Sequence, residues 1–165
     1  MDVITLLRSP VKTLYTESIL MIERLHRRFL DVVHTELERL KIVDVNNVQA
    51  LILYNINTEE LTIGELTNRG YYLGSNVSYN VKKLVENGYL EQEKAPHDKR
   101  SVRIKLSAKG LTLCKVIDDL YQRNVDALSK DLTTVDLTAL NKTLSTLERF
   151  WTDFINNSHK YGGNK

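Results

Sequence analysis

The chain has 165 residues, 42% of them hydrophobic, with a formal net charge of +2, two prolines and one cysteine. That length suits one domain or two small lobes, and the composition supports a real core and excludes a disordered chain. No stretch approaches the ~18 apolar residues of a membrane span, Met1-Asp2-Val3-Ile4-Thr5-Leu6-Leu7-Arg8 does not read as a secretory signal, and a single cysteine excludes an intrachain disulfide scaffold, so a cytoplasmic protein is expected.

The N-terminal third reads as one long helix. Pro10 stands near its start, and Ile22, Leu25, Phe29, Val33, Leu37 and Leu40 recur every three or four residues. Val43-Asp44-Val45 interrupts the pattern. Asp44 is expected to cap a second, buried helix through Val48, Leu51, Ile52 and Ile56. Thr62 followed three residues later by Glu65 is a capping box that opens a short helix through Leu66, with Gly70 ending it. After Tyr71-Tyr72-Leu73-Gly74 comes a helix from about Ser75 to Asn87, stopped by Gly88. Val77, Val81, Leu84 and Val85 define its buried face, and Ser75, Asn76, Ser78, Tyr79, Lys82 and Lys83 fall largely off it.

Residues 89–106 read as two short strands joined by a charged tip, Pro96-His97-Asp98-Lys99-Arg100. Val102-Arg103-Ile104-Lys105-Leu106 alternates, with Arg103 and Lys105 facing outward. Ser107 caps a long helix from Ala108 to about Ser129. A last helix opens at Thr133-Thr134-Val135-Asp136 and carries Leu137, Leu140, Leu144, Leu147, Trp151 and Phe154 as a narrow apolar stripe; the tail 159–165 is expected to fray. Residues 79–109 hold eight Lys or Arg against four Asp or Glu, a net of +4, which leaves −2 for the remainder. A basic lobe on a neutral protein fits DNA docking, but charge alone fits a solvated hairpin equally well. A short capped helix, a turn, a second helix and a basic hairpin together form a winged helix-turn-helix, in which one element enters the major groove and the other reaches the backbone or minor groove.

The order of elements resembles the MarR family of bacterial winged-helix transcription regulators over roughly residues 10–156. The most specific run is Gly88-Tyr89-Leu90, then Asp98-Lys99-Arg100-Ser101, then Leu106-Ser107-Ala108-Lys109-Gly110. The resemblance implies a mainly α fold with a small β wing. Residues 1–43 would form an N-terminal dimerisation helix, 44–106 the DNA-binding lobe, 107–158 C-terminal dimerisation helices and 159–165 a flexible tail. It also implies a homodimer on a pseudo-palindromic operator, regulated by a small-molecule effector held between the dimer and DNA lobes. Arg100 would enter the minor groove and Asp98 would orient it, because a carboxylate facing phosphate is repelled. Lys82, Lys83 and Lys99 are expected on phosphates, Ser75, Asn76, Ser78 and Tyr79 on base edges, and Arg103 on the DNA side of the wing. Tyr71-Tyr72-Leu73-Gly74 departs from the family's glycine-hydrophobic-serine turn. Tyr79 stands where many members carry arginine and lacks its bidentate guanine fork.

The alternative is a winged-helix protein-interaction module without sequence-specific DNA binding. An enzyme is not expected: there is no phosphate loop or nucleophile motif, and His26, His34, His97 and His159 are scattered. No cofactor or metal is expected. Cys114 is expected as a small buried apolar residue, and the peroxide-sensing branch of the family has its cysteine in the first helix, where this chain has none. Trp151 and Tyr71-Tyr72 are expected in core or turn packing.

Overall fold

The computed structural model describes residues 10–69, 74–94 and 102–157. The Gly70 stop, the Tyr71–Leu73 turn, the hairpin tip 96–100 and the tail 159–165 lie outside them. The chain divides into two compact units, Met1–Leu120 and Tyr121–Lys165.

The first unit opens with α1 (Pro10–Arg39). Of its apolar stripe, Val33 and Leu37 are buried, whereas no residue from 10 to 32 is. Between them lies Glu36, also buried, which accepts two hydrogen bonds from the Arg39 guanidinium at 2.9 and 2.8 Å. The helix ends on Lys41 in the left-handed region (φ 58), with Ile42 N–H donating to the Leu37 carbonyl and Lys41 N–H to that of Glu38.

The second helix, α2 (Asn47–Ile56), starts later than expected and Asp44 does not cap it. Asn46 does: its side chain accepts the Gln49 N–H at 2.9 Å, and Gln49 Oε1 accepts the Asn46 N–H at 3.0 Å. Asp44 lies three residues before the first helical residue, and its carboxylate is engaged elsewhere. Burial of Ala50, Leu51, Ile52, Leu53 and Ile56 accounts for a segment that is apolar on more than one side.

Next come β1 (Leu61–Thr62), α3 (Ile63–Asn68), α4 (Gly74–Glu86), β2 (Leu90–Lys94), β3 (Val102–Leu106) and α5 (Ala108–Leu128). The Thr62–Glu65 capping box forms as expected, Glu65 N–H reaching Thr62 Oγ1 at 3.1 Å. The antiparallel sheet has the order β1-β3-β2. Leu90 pairs with Leu106 and Lys94 with Val102, so the hairpin closes evenly beneath its tip. The strand β1, pairing Leu61 with Ile104, is an addition to the expected hairpin; two residues are too few to show a period in sequence. The fully buried Ile52, Leu53, Ile56, Leu66, Val77, Leu84, Ile104 and Ile117 form the core. Each contributes about 1.5–3 kcal/mol.

One junction joins α4, the hairpin and α5. Gly88 (φ 76) ends α4, with Tyr89 N–H donating to the Leu84 carbonyl at 2.8 Å and Gly88 N–H to that of Val85 at 3.0 Å. Ser107 Oγ donates to the Gly88 carbonyl at 2.7 Å and accepts the Gly110 N–H at 3.1 Å, so it caps α5 and closes the hairpin together. A Cβ on Gly110 would fall on the Tyr89 carbonyl oxygen. Across this seam Asp44 accepts from the Tyr89 hydroxyl at 2.7 Å and pairs with Lys109 at 2.5 Å. Lys109 also donates to the Asn87 carbonyl and lies 4.0 Å over the Tyr89 ring.

The second unit contains α6 (Thr134–Asn156), opened by the expected Thr133–Asp136 capping box. No side chain of α6 is buried, and Leu137, Leu140 and Leu144 are exposed. Among the described residues no helix is long and apolar enough to cross a membrane.

Two outcomes follow from the junction. Gly110→Ala should lower stability by about 3 kcal/mol, read by chemical denaturation, because backbone cannot yield to a methyl group. The hydrogen bond and charge of Lys109, then the Tyr89 hydroxyl, hold the Asp44 carboxyl below its usual value of 3.8. Its folded form therefore binds protons less well than its unfolded form, and the stability it supplies is present above that value and lost as pH falls below it. Asp44→Asn should cost about 1 kcal/mol at neutral pH, the pair being half exposed, and flatten the acid limb of a stability–pH curve.

Candidate nucleic-acid interface

Two faces of α4 are separated by helical geometry. Val77, Val81 and Leu84 are buried against the lobe, and Asn76, Ser78, Tyr79 and Lys82 are exposed. Val85, expected on the buried face, is half-buried. Ser75 lies in the first turn of the helix. Tyr79 is 62% exposed, a large aromatic surface with no role in the core. A buried Asn80 shares the inward face with the valines. Its spacing from Val77 and Leu84 was the available sign of that burial, masked by its polar type.

Lys82, Lys83, Arg103, Lys105 and Lys109 all meet carboxylates, two of which, Glu60 and Asp44, stand outside the stretch counted in sequence. Lys83 pairs with Glu86 at 2.8 Å, and Lys82 approaches the same carboxylate at 4.0 Å. The hydrogen bond from Lys83 lowers the Glu86 pKa, and that bond raises the Lys83 pKa in turn. On the hairpin, Lys105 lies between Glu93 at 2.9 Å and Glu91 at 3.6 Å. Arg103 is held by Glu60, through its carboxylate at 2.9 Å and its carbonyl at 2.9 Å. Arg103 thus ties β3 to the segment before β1. Lys109 belongs to the junction and not to a DNA-facing surface. Asp98, Lys99 and Arg100 lie outside the described residues.

Burial pushes the half-buried Cys114 thiol up to about 11, so it is protonated and a poor nucleophile at neutral pH. Among the described residues no cluster of His, Cys, Asp or Glu could hold a metal ion. Trp151 is half-buried. The contributors that sequence reasoning missed are Asp44, Gln49 and Asn80, polar residues that each have a partner distant in sequence.

A helix with a polar outer face, preceded by a short capped helix and followed by a β hairpin, defines a winged-helix DNA-binding protein. The Winged helix DNA-binding domain family matches residues 45–110. The chain is 38% identical over 149 residues to the exopolysaccharide II synthesis transcriptional activator ExpG of Rhizobium meliloti (strain 1021), covering 90% of this chain and 75% of that protein. Its fold is similar to that of Streptococcus pneumoniae FabT in complex with DNA, with a TM-score of 0.70, 16% identity, and 85% of this chain and 99% of that one covered. It is likewise similar to a MarR variant from E. coli complexed with operator DNA, with a TM-score of 0.64, 23% identity, and 84% and 99% covered. The chain belongs to the MarR family of winged-helix transcription regulators. Its relatives are transcription regulators rather than enzymes.

The Glu86 carboxylate pairs with two lysines that are expected on phosphates. Glu86→Gln should therefore raise affinity for a random duplex on the order of fivefold at low salt and steepen the salt dependence, as each freed lysine releases one more counterion. Anisotropy titrations across a salt series measure both, and the melting temperature should barely move because exposed ion pairs contribute little.

Proposed function

We propose that this chain is a ligand-responsive transcription regulator that acts as a homodimer on a pseudo-palindromic operator. The observation that carries this reading is α4, buried through Val77, Val81 and Leu84 and presenting Asn76, Ser78 and Tyr79 outward. Ser75, Asn76, Ser78 and Tyr79 meet base edges, and Lys82, Lys83 and Lys99 meet phosphates. Arg100 probes the minor groove with Asp98 as its support. Arg103 is assigned to anchoring the wing through Glu60 rather than to DNA.

Exposed apolar side chains support dimerisation. Val11, Leu14, Leu20 and Leu25 on α1 and Leu137, Leu140 and Leu144 on α6 are all exposed in the single chain. A second copy covering them sets two recognition helices about one DNA turn apart, roughly 34 Å. Regulation by a small molecule is supported by a cleft of about 650 Å³ lined by His34, Leu37 and Glu38 of α1, Asp44 of the following loop, and Lys83 and Asn87 at the end of α4. A ligand there touches both the dimer helix and the recognition helix, and shifts DNA affinity by its preference for one arrangement. That the relative ExpG is a transcriptional activator supports activation rather than repression.

Selection of duplexes from a random pool should return a pseudo-palindrome with half-sites one turn apart, bound by a dimer in sedimentation. Equal affinity for the selected and a scrambled duplex sinks the proposal. Arg100→Ala should weaken binding of the selected duplex about tenfold with no change in melting temperature. A parallel fall in melting temperature would make the residue structural.

A further inference from the structure

Asn80 is the polar exception on the inward face of α4. Its neighbours Val77, Val81 and Leu84 are at most 2% exposed, and Asn80 itself is 9% exposed. Facing it from α2 is Gln49, 6% exposed. Gln49 Nε2 donates to Asn80 Oδ1 at 3.1 Å. At one end of this pair, Gln49 Oε1 accepts the Asn46 N–H at 3.0 Å; at the other, Asn80 Nδ2 donates to the Asn76 carbonyl at 2.8 Å. Two buried amides therefore run from a backbone donor to a backbone acceptor. A main-chain N–H only donates and a carbonyl only accepts. Turning over either amide sets donor against donor and acceptor against acceptor, so the series has one arrangement.

Apolar contact has no such direction. Burial of Val77, Val81 and Leu84 fixes which side of α4 faces out, but it leaves small rotations and slides of the helix at little cost, because size and hydrophobicity suffice for such packing. A slide of about 1.5 Å, the rise of one helical residue, which the apolar face alone would tolerate, takes the 3.1 Å bond between Gln49 and Asn80 out of good geometry. Asn76, which anchors the series, and Tyr79, next to Asn80, are on the outward part of the same turns.

We propose that Gln49 and Asn80 are positioning residues that hold the recognition helix in one rotational and axial setting, and so set sequence discrimination rather than affinity for DNA. This rests on the reading of α4 as the groove-entering helix. Base-edge hydrogen bonds demand that placement, whereas phosphate attraction tolerates small displacement.

The test uses the full chain and a duplex that the wild-type protein selects from a random pool, with a scrambled duplex of equal length as reference. The double variant Gln49→Met, Asn80→Leu keeps the shape of each side chain and leaves neither side-chain amide unpaired; the Asn46 N–H turns to water at the exposed start of α2, so the melting temperature should fall only slightly. Its affinity and salt slope on the scrambled duplex should also be unchanged. Its ratio of affinities, selected over scrambled, should fall about tenfold. Gln49→Glu provides a second route, since it keeps the acceptor for Asn46 and sets an oxygen against Asn80 Oδ1; it should lose discrimination in the same way. A folded variant of either kind that discriminates as well as the wild type overturns the inference. A wild-type protein that selects no duplex overturns the DNA-binding reading, and this one with it.

Discussion

The recognition helix and the wing have no fixed relation unless the seam between them is rigid, and that seam depends on the Asp44 carboxylate. Asp44 sits in the loop after α1, yet its partners are Tyr89 at the foot of the hairpin and Lys109 in the first turn of α5. Asn87, just beyond α4, donates to the Asp44 carbonyl at 2.5 Å. One short loop therefore gathers the end of the recognition helix, the start of the wing and the start of the next helix. The Lys109 ammonium over the Tyr89 ring adds a contact that only a cation at that position can make. Gly110 completes the seam by letting α5 approach the Tyr89 carbonyl as closely as backbone allows.

Much of this architecture was legible from residue types alone. Capping boxes at Thr62 and Thr133, the Gly88 stop and the alternating Val102–Leu106 strand are local signals, and each is visible within a few residues. The cap at Asp44 misled because aspartate is as good a cap as asparagine in isolation. Only the distant Lys109 and Tyr89 decide that Asp44 is used elsewhere and Asn46 caps instead. The count of basic residues misled for the same reason. Arg103 and Lys109 meet Glu60 and Asp44, carboxylates that lie outside residues 79–109 and far from them along the chain, so charge read in sequence order overstates charge offered to DNA. Of the candidate contacts, the outward set on α4 was readable from the 3.6-residue period, because burial of Val77, Val81 and Leu84 fixes which side faces out.

The two polar networks divide the labour of the lobe. The Asp44 junction is half exposed and ionic, and it joins elements end to end. The Gln49–Asn80 pair is buried and neutral, and it locks two helices side by side. Buried charge would have demanded a full partner set against desolvation, which neutral amides need far less. The cost of placing polarity in the core is thereby kept small, while direction is gained where apolar packing has none.

The order β1-β3-β2 leaves β2 as an open edge. An unpaired edge strand invites pairing with the same strand of another molecule, which would bury the hairpin in an aggregate. Here Glu91, Gln92 and Glu93 are all exposed on that strand, and at the opposite edge β1 is only two residues long. Like charges on one edge and brevity on the other oppose growth of the sheet, which leaves the hairpin available to another kind of polymer.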